Sequence, residues 1–383
     1  MGTLRQDEGM NLGRRQVVEH RIAAQQLDRE PASRALTDAA IFDLGVQDTG
    51  RDGASWALVN RGLPVARPGD LEACEDVALV WTLRAAPHYY RRADLTDVWV
   101  ATSPFSEADA TKRVVGAGKP LKEAGVTTLD GLAEVATRLR EVVTEPRSKG
   151  DVSTRLTSVL AEPYLRPCVP CDAVHSWEVP FRIGALYGGL ELQPGTSPPV
   201  LQRIPGWSKR RWGPAPDPLS APARLQPIRR YLEFQGPATP HDVAAFLDAP
   251  VTEVKKHWPE DAVSVRLDRE ERWLIGEPQS ASSSGLVRLL GPYDLLLQGR
   301  DRDLIVPETS RHKELWPVIG RPGAVLVGVD VIGIWRPAAS GKSLKLRIQP
   351  WTKITKRIRD RIGQEAERLA GHRGVELTGL DFG

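Results

Sequence analysis

An outline of short helices followed by a pair of strands comes round three times before residue 278, and no other feature limits the fold as much. Helices of about ten residues cannot bury their own apolar stripe, so they must pack on one another and on the strands that follow them. In the first pass RRQVVEHRIAAQQL (14–27) sets Val17, Val18, Ile22, Ala24 and Leu27 on an amphipathic pattern. TDAAIFDLG (37–45) begins at a Thr suited to cap a helix and stops at Gly45, and GASWALVNRG (53–62) reads as a third helix closed by Gly. ALVWTLRAA (78–86) is strand-like and runs into a Pro-His step.

The second pass has helices at 128–143 and 148–160. VPFRIGALYGGLELQPGTSPPVLQRI (179–204) then gives a helix, a Gly-Gly stop, a strand, a Pro-Gly tip and a second strand. The third has helices at 222–236, 239–248 and 251–258, then a charged-tip hairpin at 262–276. Helices followed by a wing are the outline of the winged helix-turn-helix. The similarity is one of outline, since no exact repeat appears.

QSASSSG (279–285) is a Ser-rich linker. Beyond it LVRLLGPYDLLLQGRDRDLIV, GAVLVGVDVIGIWR and SLKLRIQPW alternate like strands of a small antiparallel sheet or barrel. A helix then aligns Ile354, Ile358 and Ile362 and turns an Arg-rich face to water. The expected fold is therefore α+β: three tandem winged helix-turn-helix units at 1–110, 111–215 and 216–278, and a barrel-like antiparallel β-rich part at 286–383 with a terminal helix.

At 383 residues the chain is long enough for two or three such units. Its apolar runs are too short for a membrane helix, and the opening MGTLRQDEGMNLGRRQVVEH has no apolar core for a secretory signal, so a cytoplasmic protein is expected. Lys plus Arg outnumber Asp plus Glu by only 52 to 49, so overall charge does not call for a polyanion. Distribution says more: SKRRWG (208–213), TKITKRIRDRIG (352–363), LQRIPGW (201–207) and IRRY (228–231) concentrate positive charge, and phosphate contacts are expected of Lys209, Arg210 and Arg211 and of Lys255 and Lys256 on the third unit's short helix. The competing reading of each cluster is a solvated helix face.

Three cysteines do not make a disulfide framework and fit a reducing compartment. Cys168, Cys171 and His175 in CVPCDAVH have a spacing that could serve zinc, but a structural site needs a fourth ligand and no second Cys pair exists. Half-buried loop cysteines are the favoured reading, and neither metal nor cofactor is expected.

Residues 43–62, DLGVQDTGRDGASWALVNRG, hold a polar knot, Gln47-Asp48-Thr49, between apolar stretches. It reads either as a turn satisfying backbone groups or as polar groups facing a substrate. Strict alternation would turn Asp48 away from Gln47.

The order of several segments resembles the tandem winged-helix DNA glycosylases of the AlkZ and YcaQ type, over roughly residues 14–351. These are RIAAQQL, LGVQDT with ASWALVNRG, VWTLRAAPH, IRRYLEFQGPAT, and LVRLLGPYDLLLQGRDR with VIGIWR. The resemblance implies a basic concave surface for duplex DNA, removal of alkylated or crosslinked bases, and a catalytic knot of Gln, a hydrophobic residue, then Gln or Asp. Gln47 matches the first position; Asp48 stands at the hydrophobic one, and Thr49 replaces the last. Breaking an N-glycosidic bond leaves positive charge on the sugar, so a site must hold water and steady that cation. The amide of Gln47 can accept from water, and Asp48 could supply an anion only if turned inward.

In the first wing the family's Arg-Gly-Thr-Leu-His becomes Arg84-Ala85-Ala86-Pro87-His88. The resemblance implies that Arg84 meets phosphate or the knot and that His88 borders the same pocket; a hydrogen-bonded core histidine is the plain alternative. Asp294, with Arg300, Asp301 and Arg302, reads chiefly as buried ion pairing. The leading function is thus a metal-free, monomeric DNA glycosylase acting on alkylated or crosslinked duplex. A catalytically impaired DNA-binding protein of the same build comes next, for which Asp48 and Thr49 speak. A transcriptional regulator and a zinc enzyme rank lower.

Overall fold

The computed structural model describes residues 10–31, 34–207 and 216–383. It is an α+β structure whose sheets are stitched together across the sequence.

The largest sheet has six antiparallel strands, in the order Val46–Gln47, Pro87–Arg91, Val77–Trp81, Leu190–Leu192, Val200–Arg203 and Arg147–Ser148. The hairpins expected for the first and second passes are therefore one sheet, joined where Leu79 pairs with Leu192. The hairpin Ala262–Leu267/Glu270–Ile275 gains a third, parallel strand from the far N-terminal Asn11–Leu12.

After the linker, five strands (Val287–Leu290, Gly323–Val327, Asp330–Ser340, Ser343–Pro350, Glu376–Phe382) curl into a half-barrel. This sheet corrects the expectation of a purely antiparallel one. The terminal helix Lys356–Arg373 ends at Gly374, whose φ of +63° suits glycine, and the chain returns as Glu376–Phe382 parallel to Ser343–Pro350. On the helix Ile362 is fully buried and Ile358 half-buried.

Two local expectations are also revised. TDAAIFDLG forms two 3-10 turns, Leu36–Asp38 and Ala40–Asp43, rather than an α-helix, and Pro68–Glu72 adds a short helix begun by its proline.

What fixes the knot is the helix that follows it. Gly53–Val59 is apolar apart from Ser55, and every residue from Ala54 to Val59 is buried. The indole N–H of Trp56 and the amide of Asn60 both donate to the carbonyl of Leu289, at 2.6 and 3.1 Å. Arg61 sends two hydrogen bonds to Asp294, at 2.8 and 3.0 Å, with both side chains wholly buried, while Arg373 clamps Asp52. Burying a side chain as large as Trp56 contributes roughly 1.5–3 kcal/mol, so the knot's frame is tied to the half-barrel and not left as a surface loop.

Candidate active site

Gly45, with φ +91°, carries the chain into Val46–Gln47; a Cβ there would lie 2.5 Å from the ring of Tyr90, whose hydroxyl donates to the Leu44 carbonyl. Val46 and Gln47 pair with Tyr89 and His88, and the amide of Asp48 continues the ladder to Pro87. Alternation then separates the knot. Gln47 Nε2 donates to Thr49 Oγ1 at 2.8 Å, so the first and third side chains share a face.

Asp48 points the other way. Its carboxylate accepts from the Ala54 amide at 3.2 Å, satisfying a first-turn N–H of the next helix that Asp52, held by Arg373, leaves open. Burial, with help from Glu72 and Asp52, pushes its pKa up against the pull of that amide. It lines a cleft of about 870 Å³ shared with Arg51, Arg67, Glu72, His372 and Arg373, and Gln47 is not among the lining residues.

The face of Gln47 is cationic. Thr82–Ala86 closes a tight turn in which Arg84 and Ala85 both take left-handed backbone, at φ +55° and +54°. This turn aims Arg84 inward. Its guanidinium donates to Gln47 Oε1 at 3.3 Å, Gln298 Oε1 at 2.6 Å and the Phe246 carbonyl at 2.9 Å, and stacks 4.4 Å from the Phe246 ring. Because a guanidinium only donates, it fixes which end of the Gln47 amide is oxygen and turns the NH2 toward Thr49.

Among the described residues no carboxylate lies within ion-pair distance of Arg84, although Asp248 is near enough to favour its charge. Burial and the neighbouring Arg300 lower its pKa to about 10, which leaves it protonated at neutral pH. Arg302 is likewise lowered by burial, Arg300 and Arg321, so cations continue away from the knot. Gln298 extends the site beyond the sequence reading, and Arg300 and Arg302, expected there as ion-pairing residues, have no carboxylate within ion-pair distance among the described residues.

His88 is buried, with Nδ1 2.9 Å from the Ala86 carbonyl and 3.1 Å from Thr82 Oγ1. Burial first, then Arg84, lowers its pKa to about 3, so it is a neutral ring supporting the turn. Asp294 sits in its ion pair with Arg61. Trp335 is buried with its indole N–H on the Leu290 carbonyl, and Arg336 donates to Gly320.

Lys209, Arg210 and Arg211 lie outside the described residues. Lys255 and Lys256 are exposed at the end of Val251–Lys256, the latter paired with Glu253 at 2.8 Å. Cys168 and His175 face Ala173 and Arg166 across a two-stranded hairpin. Among the described residues no group of three or more His, Cys, Asp or Glu side chains is placed to hold a metal. No helix is long and apolar enough to cross a membrane.

A neutral amide–hydroxyl pair thus lies beside arginines that, among the described residues, lack carboxylate partners, on helices and hairpins packed against a half-barrel. The family model described as DNA glycosylase AlkZ-like matches residues 41–372, and the chain belongs to that family. The solved structure of Streptomyces sahachiroi DNA glycosylase AlkZ superposes with a TM-score of 0.69, covering 98% of this chain and 100% of that one at 18% identity, a likeness of fold. No curated protein matches the sequence.

Proposed function

We propose that this chain hydrolyses the N-glycosidic bond of alkylated or crosslinked bases in duplex DNA, as a metal-free monomer that presents three winged helix-turn-helix units, at 1–110, 111–215 and 216–278, to the duplex. The observation that carries the reading is the shared face of Gln47 and Thr49 with Arg84 behind it.

Gln47 Oε1 keeps a lone pair beyond the one Arg84 occupies, and it can accept from a water. Thr49 accepts from Gln47 and so has its own O–H free to donate. Two neutral groups position water without deprotonating it. Such a site suits a base that is already cationic through alkylation, because that base departs without protonation and leaves the sugar electrophilic enough for neutral water. Arg84 orients Gln47, while exposed Lys255 and Lys256 meet backbone phosphate.

The competing reading is a DNA-binding protein with impaired catalysis. It is favoured by Asp48, whose carboxylate caps a helix on the far side of the strand and so gives the sugar cation no anion. Release of free base from an alkylated duplex decides between them. Release by the wild type that is lost in Gln47→Ala supports the glycosylase; tight duplex binding without release supports the alternative.

A further inference from the structure

The loop between the short helix His312–Leu315 and the strand Gly323–Val327 carries Val318 at 96% and Ile319 at 88% exposure. Among the described residues they are the only exposed large apolar side chains adjacent in sequence. Two such side chains in water are unexplained by folding.

The loop is held rather than loose. On one side the buried Trp316 donates its indole N–H to the Leu297 carbonyl at 2.9 Å, with Arg302 stacked 4.9 Å over its ring. On the other, Arg336 donates to the Gly320 carbonyl at 2.7 Å and Arg321 stacks 5.2 Å over Tyr293. Two of those anchors, on Leu297 and Tyr293, adjoin the candidate active site. Leu297 precedes Gln298, which accepts from the Arg84 guanidinium that holds Gln47 and donates to the Tyr293 carbonyl at 2.7 Å. The apolar tip and the knot thus hang from one segment, 293–298. Neither Arg302 nor Arg321 has a carboxylate within ion-pair distance among the described residues, so the flanks of the tip are cationic.

We infer that Val318 and Ile319 form a wedge that enters a DNA duplex between base pairs beside the nucleotide presented to Gln47, with Arg302 and Arg321 on the flanking phosphates. Apolar side chains unstack a base step when paired with cations that grip the backbone, and the arginines single out a polyanionic duplex over a lipid or an apolar protein face. The inference rests on the DNA reading above but not on catalysis.

The test uses the whole protein, a duplex carrying 2-aminopurine beside an abasic site, and Val318→Ser/Ile319→Ser. Both positions are exposed, so the variant should melt with the wild type. The wedge expects wild-type binding to raise 2-aminopurine fluorescence. The double variant should lose that rise and bind the duplex about ten- to a hundredfold more weakly, with an unchanged slope of affinity against salt. Arg321→Ala should lower that slope by about one. Wild-type binding without a fluorescence rise overturns the wedge and leaves the DNA reading standing. No duplex binding by the wild type overturns both. A wild-type dimer that the double variant turns into a monomer overturns the wedge in favour of a contact between copies.

Discussion

Arg84 donates through one nitrogen to both Gln47 and Gln298, at 3.3 and 2.6 Å, so a guanidinium in the first hairpin joins the knot to a segment 214 residues further on. Gln47→Ala should therefore abolish most base release, by about a hundredfold, the scale of losing one oriented polar group in a site. Gln298→Ala releases Arg84 and the Tyr293 carbonyl without touching Gln47 and should cost about tenfold. Single-turnover release from an alkylated duplex, with melting curves to show both variants folded, measures these losses. Equal rates in wild type and Gln47→Ala would remove the amide from the mechanism.

Thr49 accepts from Gln47 and keeps its own proton to donate. Thr49→Val preserves the shape and deletes the hydroxyl, so release should fall about tenfold, the scale of a net hydrogen bond of about 1–1.5 kcal/mol. Asp48→Asn keeps an oxygen for the Ala54 amide and should leave release within about twofold. A larger loss in Asp48→Asn than in Thr49→Val would mean that the cleft face carries the chemistry.

Ala85 holds φ +54° directly after Arg84 at +55°. Left-handed backbone costs a residue with a Cβ about 1–2 kcal/mol, of which a glycine regains part after its larger unfolded-state entropy. Ala85→Gly should stabilise the protein by about 0.5–1 kcal/mol in urea titrations. A destabilised variant would show that the Ala85 methyl packs more than the turn strains.

His88 and His20 are held neutral by burial, with pKa values lowered to about 3 and 4 from an ordinary 6.5. Below pH 6.5 the unfolded chain takes up protons that the folded one refuses. Stability is thus full above 6.5 and falls as pH drops toward 3–4, by about 1.4 kcal/mol per pH unit for each histidine. His88→Gln should flatten that acid limb by one histidine's share when urea midpoints are followed from pH 7.5 to 5.

The knot was legible in sequence because two rules met there. A polar triplet between apolar runs marks a turn or a site, and strand alternation already separated Asp48 from Gln47 and Thr49. Partners supplied by distant segments were not legible: Gln298 and Arg300 reach Arg84 only once the linker has brought the half-barrel against the first helices. The parallel strand Glu376–Phe382 escaped for a local reason, since ELTGLDF is half polar and becomes a strand only through pairing with Ser343–Pro350. TDAAIFDLG carried helix signals at both ends, yet Ala39 between its two turns is extended, and the segment became 3-10.

Arg61 and Asp294 form the other long-range tie, and here structure and chemistry can be separated. Both side chains are wholly buried, with two hydrogen bonds between them and a third from Arg61 to the Ala57 carbonyl. Removing one partner strands a charge in the interior, so Asp294→Ala should destabilise by about 3–5 kcal/mol. Replacing both with apolar residues of similar volume, as in Arg61→Met with Asp294→Leu, should recover most of that loss, because a buried pair repays little beyond its own desolvation. The pair touches neither Gln47 nor Thr49, but Asp294 caps the turn that carries Gln298, so base release per folded molecule in the double variant should fall by no more than the about tenfold of Gln298→Ala. Urea titration of the three proteins measures the coupling, and single-turnover release normalised to the folded fraction measures the rest. A double variant that is stable yet inactive would move Asp294 from the frame of the site into its chemistry.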